Sequence, residues 1–199
     1  MDDKPAKAIV YGSGTARIAP LARGVGTVWD TYTWAPAWYR DASAEASRHD
    51  DHDARRREVV LAVAALESYL LEWVRDEVLK RDFRQVTRYF PPGSHPPIKE
   101  RWKKVIQSLH SDGLIANTPS FSEPYWAEFA TLLTFRDGLI HGRSSRPRSA
   151  GQRQDERPLP TKQDLDNMQP GWARDIVAHV IRKLHEAVRT PLPQWLSST

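Results

Sequence analysis

Apolar residues recur every three or four positions along four segments of the chain, which is the spacing of an amphipathic helix. These segments are 59–80, 98–110, 122–140 and 172–189. Helical pattern already begins near Pro36, and residues 36–80 form either one long helix or two, with a possible break at 49–53. Residues 1–34 are rich in glycine and aromatic side chains, so we expect an irregular N-terminal arm there. The pattern predicts an all-α protein, with a helical domain over 35–199 after the arm.

The segment 122–140 leads into the residues with the clearest chemical meaning. Ser122 is the expected N-cap of this helix, and Gly142 is its expected C-terminal stop. Arg136 and His141 are separated by four residues near its end. Arginine keeps its charge and can hold a phosphate, whereas histidine titrates near neutrality and can move the proton of a ribose 2′-hydroxyl. These two residue types are the ones that RNA cleavage needs.

Two neighbours of this pair extend the candidate site. Asp137 lies one turn before His141 on the same helix face, where it either orients the imidazole or remains a solvated acid at the helix end. Arg136 lies about 140° around the helix from His141, a gap that the length of arginine can close. Gly138 is unfavourable inside a helix, which suggests that another element, most simply a partner helix, packs closely there.

Glu67 extends the candidate site to an earlier helix, because it lies within the apolar face of the segment 59–80. A buried carboxylate without a partner strongly destabilises a fold. We therefore expect Arg136 or His141 to compensate the charge of Glu67. The alternative is that the helix edge opens to water at this point and that Glu67 is merely solvated.

The alanine-rich run 64–70, Ala-Ala-Leu-Glu-Ser-Tyr-Leu, followed later by Arg-Asp-Gly-Leu-Ile-His-Gly over 136–142, resembles the HEPN superfamily. The family pattern is arginine, a polar residue, a few mostly apolar residues and histidine, which Arg136, Asp137 and His141 match. Glu67 matches the inward polar residue that many members carry on an earlier helix. The resemblance covers roughly 55–190 in organisation.

Membership of this superfamily would imply an up-and-down helical bundle that dimerises with the two motifs facing each other. In active members it also implies metal-independent endoribonuclease chemistry. Many members are toxins of toxin–antitoxin or phage-defence systems. Some of these toxins carry a tyrosine two residues after the histidine, as a target for nucleotidylation by the antitoxin. This chain has Arg143 there, so that mode of regulation is not expected.

Positive charge is concentrated directly after the motif, although the net charge of the chain is only +4. The predicted loop 142–162 carries Arg143, Arg146 and Arg148, with further arginines and few acids. Arginines at the rim of a phosphate-handling site would attract RNA independently of its sequence. The alternative is a solvated linker, since the loop is also rich in serine, glycine and proline.

The remaining composition bears on compartment and cofactors. The chain has no cysteine, so disulfides and thiolate chemistry are excluded. It starts without the pattern of a secretory leader, and no apolar run is long enough to span a membrane. We therefore expect a cytoplasmic protein without membrane contact. The proposed catalytic groups need no cofactor and no metal.

Other polar and aromatic residues have simpler explanations. His49, His52 and Asp53 could ligate a metal, but carboxylates there serve equally well as caps of the following helix. The run Gly-Ser-Gly-Thr over 12–15 lacks the lysine of a phosphate loop. Three tryptophans either stack on bases or, as we expect, pack the arm onto the bundle or a second subunit: Trp29, Trp34 and Trp38. The remaining histidines are expected at the surface or at the edge of the core: His95, His110, His179 and His185.

The sequence thus favours a homodimeric helical endoribonuclease, because one imidazole cannot be base and acid at the same instant and a two-fold axis would supply a second. RNA is the expected substrate, and an antitoxin or another defence-system protein is a possible partner. The main alternative is a HEPN-like dimer without catalysis that binds RNA or protein as a scaffold. A further alternative is a helical DNA-binding protein that uses the arginine loop.

Overall fold

Helices account for the regular structure in the computed structural model, which describes residues 33–48, 51–93, 96–141 and 162–197. In chain order they are α1 Ala35–Ala46, α2 His52–Trp73, α3 Phe83–Tyr89, α4 Ile98–Ser111, α5 Pro124–His141, α6 Lys162–Asp166, α7 Trp172–Val188 and α8 Gln194–Ser197. One π-helical turn, Val74–Val78, continues α2. No strand occurs within these ranges, so the all-α class is confirmed. None of the described helices is both long and apolar enough to cross a membrane.

The four long periodic segments are helices as predicted, because each carries an apolar stripe that another helix covers. Along α4 the inward residues are buried as expected: Trp102, Val105, Ile106 and Leu109. Along α7 the same holds for Ile176, Val177, Val180, Ile181 and Leu184. The helix α5 begins at Pro124, two residues after the expected N-cap Ser122.

Residues 36–80 form two helices rather than one. Asp51 ends the break between α1 and α2, because its side chain accepts a 2.8 Å hydrogen bond from the backbone N–H of Asp53. This N–H lowers the pKa of Asp51, as a helix N-terminus does for a capping acid. The alternative that carboxylates here cap the following helix is therefore realised by Asp51.

The centre of the described bundle is α2, which packs against α1, α5 and α7. The helix α5 packs in turn against α7 and α4. Fully buried apolar residues of four helices meet in this core: Val59, Val63 and Leu66 from α2, Ile106 and Leu109 from α4, Phe129 and Leu132 from α5, and Ile181 and Leu184 from α7. Burial on several sides explains why α2 lacks a single clean polar face.

Two buried glutamates of α2 hold the beginnings of other helices. Glu58 is 1% exposed and accepts hydrogen bonds from the backbone N–H groups of Gly171, Ala173 and Arg174, at 3.1–3.3 Å, where α7 begins. Glu72 accepts from the backbone N–H groups of Trp34 and Ala35 at the start of α1. Burial raises the pKa of both carboxyls, although the N–H groups act in the opposite direction. Each glutamate thus satisfies backbone donors that a helix start leaves unpaired.

His185 is a core residue, contrary to the expectation that it lies at the surface or at the core edge. It is 5% exposed and is held between the hydroxyls of Tyr69 and Thr190, with Thr190 Oγ1 2.8 Å from its Nδ1. Burial lowers the pKa of His185, because an imidazolium loses its hydration there. A neutral imidazole can form a hydrogen bond with each of the two hydroxyls through its two ring nitrogens. His185 can therefore be buried within the apolar stripe of α7.

Candidate functional site

A cavity of about 380 Å³ lies beside the second half of α5. Its wall comprises side chains from α2, from the start of α4 with the two prolines before it, and from α5. The charged residues among them are Glu67, Lys99, Arg101, Arg136 and Asp137. Three of the four residues predicted to form the catalytic site thus line one cavity, although Glu67 is far from the other two in sequence.

Arg136 and Asp137 are bound to each other at this cavity. Arg136 Nη1 donates a 2.9 Å hydrogen bond to Asp137 Oδ1. The side chain of Arg136 is about one quarter exposed, whereas that of Asp137 is more than half exposed. A guanidinium has five N–H donors, so the bond to Asp137 leaves others able to bind a phosphate. Asp137 therefore orients the arginine in this structure.

Glu67 lies at a wet edge rather than in a closed interior. Its side chain is 32% exposed, and its Oε1 lies 3.9 Å from Arg101 Nη1. We expected Arg136 or His141 to compensate the charge of Glu67. Among the described side chains, the ion-pair partner of Glu67 is instead Arg101. The reason is geometric, because Arg101 in the first turn of α4 lies beside Glu67.

Lys99 and Arg101 are residues of the cavity that the sequence reasoning missed. The Lys99 ammonium lies 5.6 Å from the centre of the Trp126 ring, in the arrangement of a cation–π contact. With Arg136 these residues supply three cations against the two carboxylates of Glu67 and Asp137. The signal was present in the run Lys-Glu-Arg-Trp-Lys-Lys over 99–104, which places four cations and one acid on the polar part of one helix.

His141 is the last residue of α5, and its side chain lies outside what the structure describes. A histidine in the last turn of a helix meets unpaired backbone carbonyls that favour its charged form. The three predicted RNA-binding residues also lie outside the described residues: Arg143, Arg146 and Arg148. The same holds for the stop Gly142, for His49, His95 and Trp29, and for the run 12–15.

The other candidates have local partners where the structure describes them. His52 Nδ1 lies 2.7 Å from Asp166 Oδ1, and Asp53 lies 3.9 Å from Arg56. No group of three possible metal ligands occurs among the described residues. Trp34 and Trp38 stack on each other, with ring centres 5.9 Å apart.

The cavity has the chemical features of an anion site. Its volume of about 380 Å³ exceeds that of a phosphate diester group, its cations outnumber its acids by one, and Thr134 adds a hydroxyl. Its charged side chains are half-buried or exposed, so a ligand reaches them from solvent. No protein-family model, curated protein or solved structure matches this chain.

Proposed function

We propose that this chain is a metal-independent endoribonuclease of the HEPN type, which cuts RNA by attack of a ribose 2′-hydroxyl. One observation carries the proposal. Glu67, Arg136 and Asp137 line the same cavity, and the helix that carries the last two ends at His141. This supports a site in which Arg136 binds the phosphate and His141, one turn beyond Asp137 on the same helix, transfers protons.

The chemistry needs two proton transfers and one phosphate clamp. As a base, His141 takes the proton of the 2′-hydroxyl, and the 2′-oxygen attacks phosphorus. The bond to the 5′-oxygen then breaks, and that oxygen receives a proton from an imidazolium. Arg136 binds the phosphate and the charge that grows on it, while Asp137 holds Arg136 and Glu67 holds Arg101 at the rim. The products are a 2′,3′-cyclic phosphate and a 5′-hydroxyl.

A second copy of the chain would supply the second imidazole, so we propose a homodimer. The end of α5 supports this, because its apolar side chains are incompletely covered by the described residues. Leu133, Phe135 and Leu139 are only half-buried, and Ile140 is 47% exposed. A two-fold contact along this helix end would bury them and bring two copies of Arg136 and His141 together. A cytoplasmic role as a toxin or phage-defence effector, restrained by a partner protein, follows from the same proposal.

The test is cleavage of single-stranded RNA by purified protein in excess chelator. We expect cleavage with cyclic-phosphate ends, because neither the clamp nor the proton transfers need an ion. His141→Ala should lower the rate by a factor of about 10² to 10⁴. The matched control is His52→Ala, which removes an exposed histidine about 22 Å from Glu67 along α2. Circular dichroism and light scattering should show the wild-type fold and a dimer for both variants.

The opposing results are equally clear. Activity that chelator abolishes and a divalent ion restores would contradict the mechanism, and full activity in a monomer would contradict the composite site. The second candidate is a binding module without catalysis. It is favoured by the two ion pairs at the cavity, Arg136 with Asp137 and Glu67 with Arg101, which are complete without a substrate. RNA that binds but stays intact, with no effect of His141→Ala, would support it.

A further inference from the structure

A second cavity, of about 370 Å³, lies farther along α4 and is also lined by polar residues. The helix α4 contributes Lys104, Gln107, Ser108 and Ser111, and Asp112 follows directly after it. The other wall is formed by Arg88 and Tyr89 at the end of α3. All of these side chains can donate a hydrogen bond except the carboxylate of Asp112.

The carboxylate of Asp112 is already engaged by two of the donors, and the remaining donors of the lining are available to a ligand. Arg88 Nη2 donates to Asp112 Oδ1 at 2.7 Å, and the hydroxyl of Tyr89 donates to Oδ2 at 2.6 Å. The two carboxylate oxygens of Asp112 therefore hold the side chains of Arg88 and Tyr89 in place. Arg88 keeps further N–H donors. Lys104 is exposed and makes no ion pair with any described residue. The balance of two cations against one paired acid suits a single anionic group.

The two cavities lie along the same helix, α4. Arg101, Lys104 and Ser108 follow each other at spacings of three and four residues, so they lie on the same side of the helix. Arg101 lines the first cavity, and the other two line the second. From Arg101 to Ser108 the helix rises about 10 Å. A stacked strand advances about 3.4 Å per nucleotide, so this distance corresponds to about three nucleotides.

We propose that the second cavity is a backbone subsite, which holds an RNA phosphate about three nucleotides away from the phosphate bound beside Arg136. Lys104 is the main contact, and Arg88 and the two serines complete the hydrogen bonds. The inference rests on the proposed function, because that function places the cleaved phosphate beside Arg136. Binding of a phosphate in the second cavity does not itself require cleavage. The subsite reads no base, since its donors match a phosphate and not a base edge.

The experiment measures binding of an uncleavable probe, 2′-O-methyl oligoadenylate, by fluorescence anisotropy over a range of salt concentrations. Lys104→Gln removes the charge, and Lys104→Glu reverses it. The matched controls are Arg182→Gln and Arg182→Glu, because Arg182 is exposed on α7, which packs on α1, α2 and α5. For a probe of about 16 nucleotides we expect a roughly tenfold loss of affinity for Lys104→Glu and a smaller loss for Lys104→Gln.

Two readouts separate a phosphate contact from general charge. Loss of one phosphate contact should make the slope of log affinity against log salt shallower by about 0.7, as for a single strand. Probe length is the second readout. A probe of about three nucleotides cannot occupy both cavities at once, so the Lys104 variants should lose less affinity for it than for the long probe.

The outcomes distinguish this proposal from the nuclease proposal. If the wild type cleaves RNA but Lys104→Glu binds the long probe as Arg182→Glu does, the subsite is wrong and the nuclease proposal stands. If the wild type does not cleave but the loss is specific to Lys104 and greater for long probes, the subsite stands and the nuclease proposal fails. An equal loss for both lysine and arginine variants, or no binding of the long probe by the wild type, overturns the subsite.

Discussion

Two glutamates on one side of α2 differ in role from a third glutamate on the opposite side. Glu58 and Glu72 are buried and accept backbone N–H bonds from the starts of α7 and α1. Glu67 is one third exposed and faces Arg101 across the rim of the cavity. A fixed environment of N–H donors makes the first two structural, whereas access to solvent leaves the third available to a ligand. Residue type alone therefore says little about the role of a glutamate.

Helix geometry explains the division. Glu58 and Glu72 are fourteen residues apart, which places them within about 40° of each other around α2. Glu67 is nine residues from Glu58 and so lies on the opposite side. The first side meets α1 and α7, whose first turns offer unpaired donors. On the other side, Glu67 lies beside Arg101 from the first turn of α4.

The largest expected effect on stability comes from the side of α2 that carries the buried Glu58 and Glu72. Glu58→Ala leaves three N–H groups at the start of α7 without an acceptor in the interior, so the free energy of unfolding should fall by about 3 kcal/mol. Glu58→Gln keeps one acceptor oxygen and should lose roughly half as much. Urea unfolding monitored by tryptophan fluorescence measures both. A loss below about 1 kcal/mol for Glu58→Ala would mean that solvent reaches the start of α7.

A pH-dependent effect of intermediate size is expected from His185, which is on the same buried side and touches Tyr69 of α2. Its pKa is lowered in the folded protein from the ordinary value of 6.5, so the unfolded chain takes up the proton first. This contribution to stability is present above pH 6.5 and is lost as the pH falls. The slope reaches at most about 1.4 kcal/mol per pH unit.

The measurement is the difference in unfolding free energy between the wild type and His185→Gln, from about pH 7.5 to 5.5. A difference is needed because the raised pKa values of Glu58 and Glu72 act in the opposite direction. With those carboxyls the folded protein takes up the proton first, and their contribution is lost as the pH rises. If His185→Gln loses as much unfolding free energy as the wild type when the pH falls, a group other than His185 is responsible.

The smallest effect on stability is expected on the opposite side of α2, where Glu67 is partly exposed to solvent. Glu67→Ala removes a half-exposed ion pair, so the free energy of unfolding should change by less than about 1 kcal/mol. Cleavage of RNA should still fall, by about tenfold, because Arg101 loses the group that holds it at the cavity. Arg101→Gln serves as the matched variant from the other side of the pair. A loss of stability as large as that of Glu58→Ala would remove the contrast between the two sides.

Periodicity in the sequence was sufficient for the long helices. The stripes of α4 and α7 are local patterns, and their inward residues are buried as expected. The short helices α3, α6 and α8 were missed, because four to seven residues contain too few turns to show a period. The same local information placed Arg136, Asp137 and His141 within one helix, so this part of the candidate site needed no tertiary contact.

The partners of the three glutamates were decided only by the tertiary structure. Glu58 meets Ala173, which lies 115 residues later, and Glu72 meets Ala35, which lies 37 residues earlier. The pattern placed Glu67 within the apolar face of α2 but left its burial open, because all sides of α2 carry apolar residues and periodicity cannot rank them. The repeat of apolar residues that marks a long helix is a local pattern, so the sequence by itself determined where the long helices lie. Burial of a charge and its partner depend on which helices pack together, and only the folded arrangement decided those.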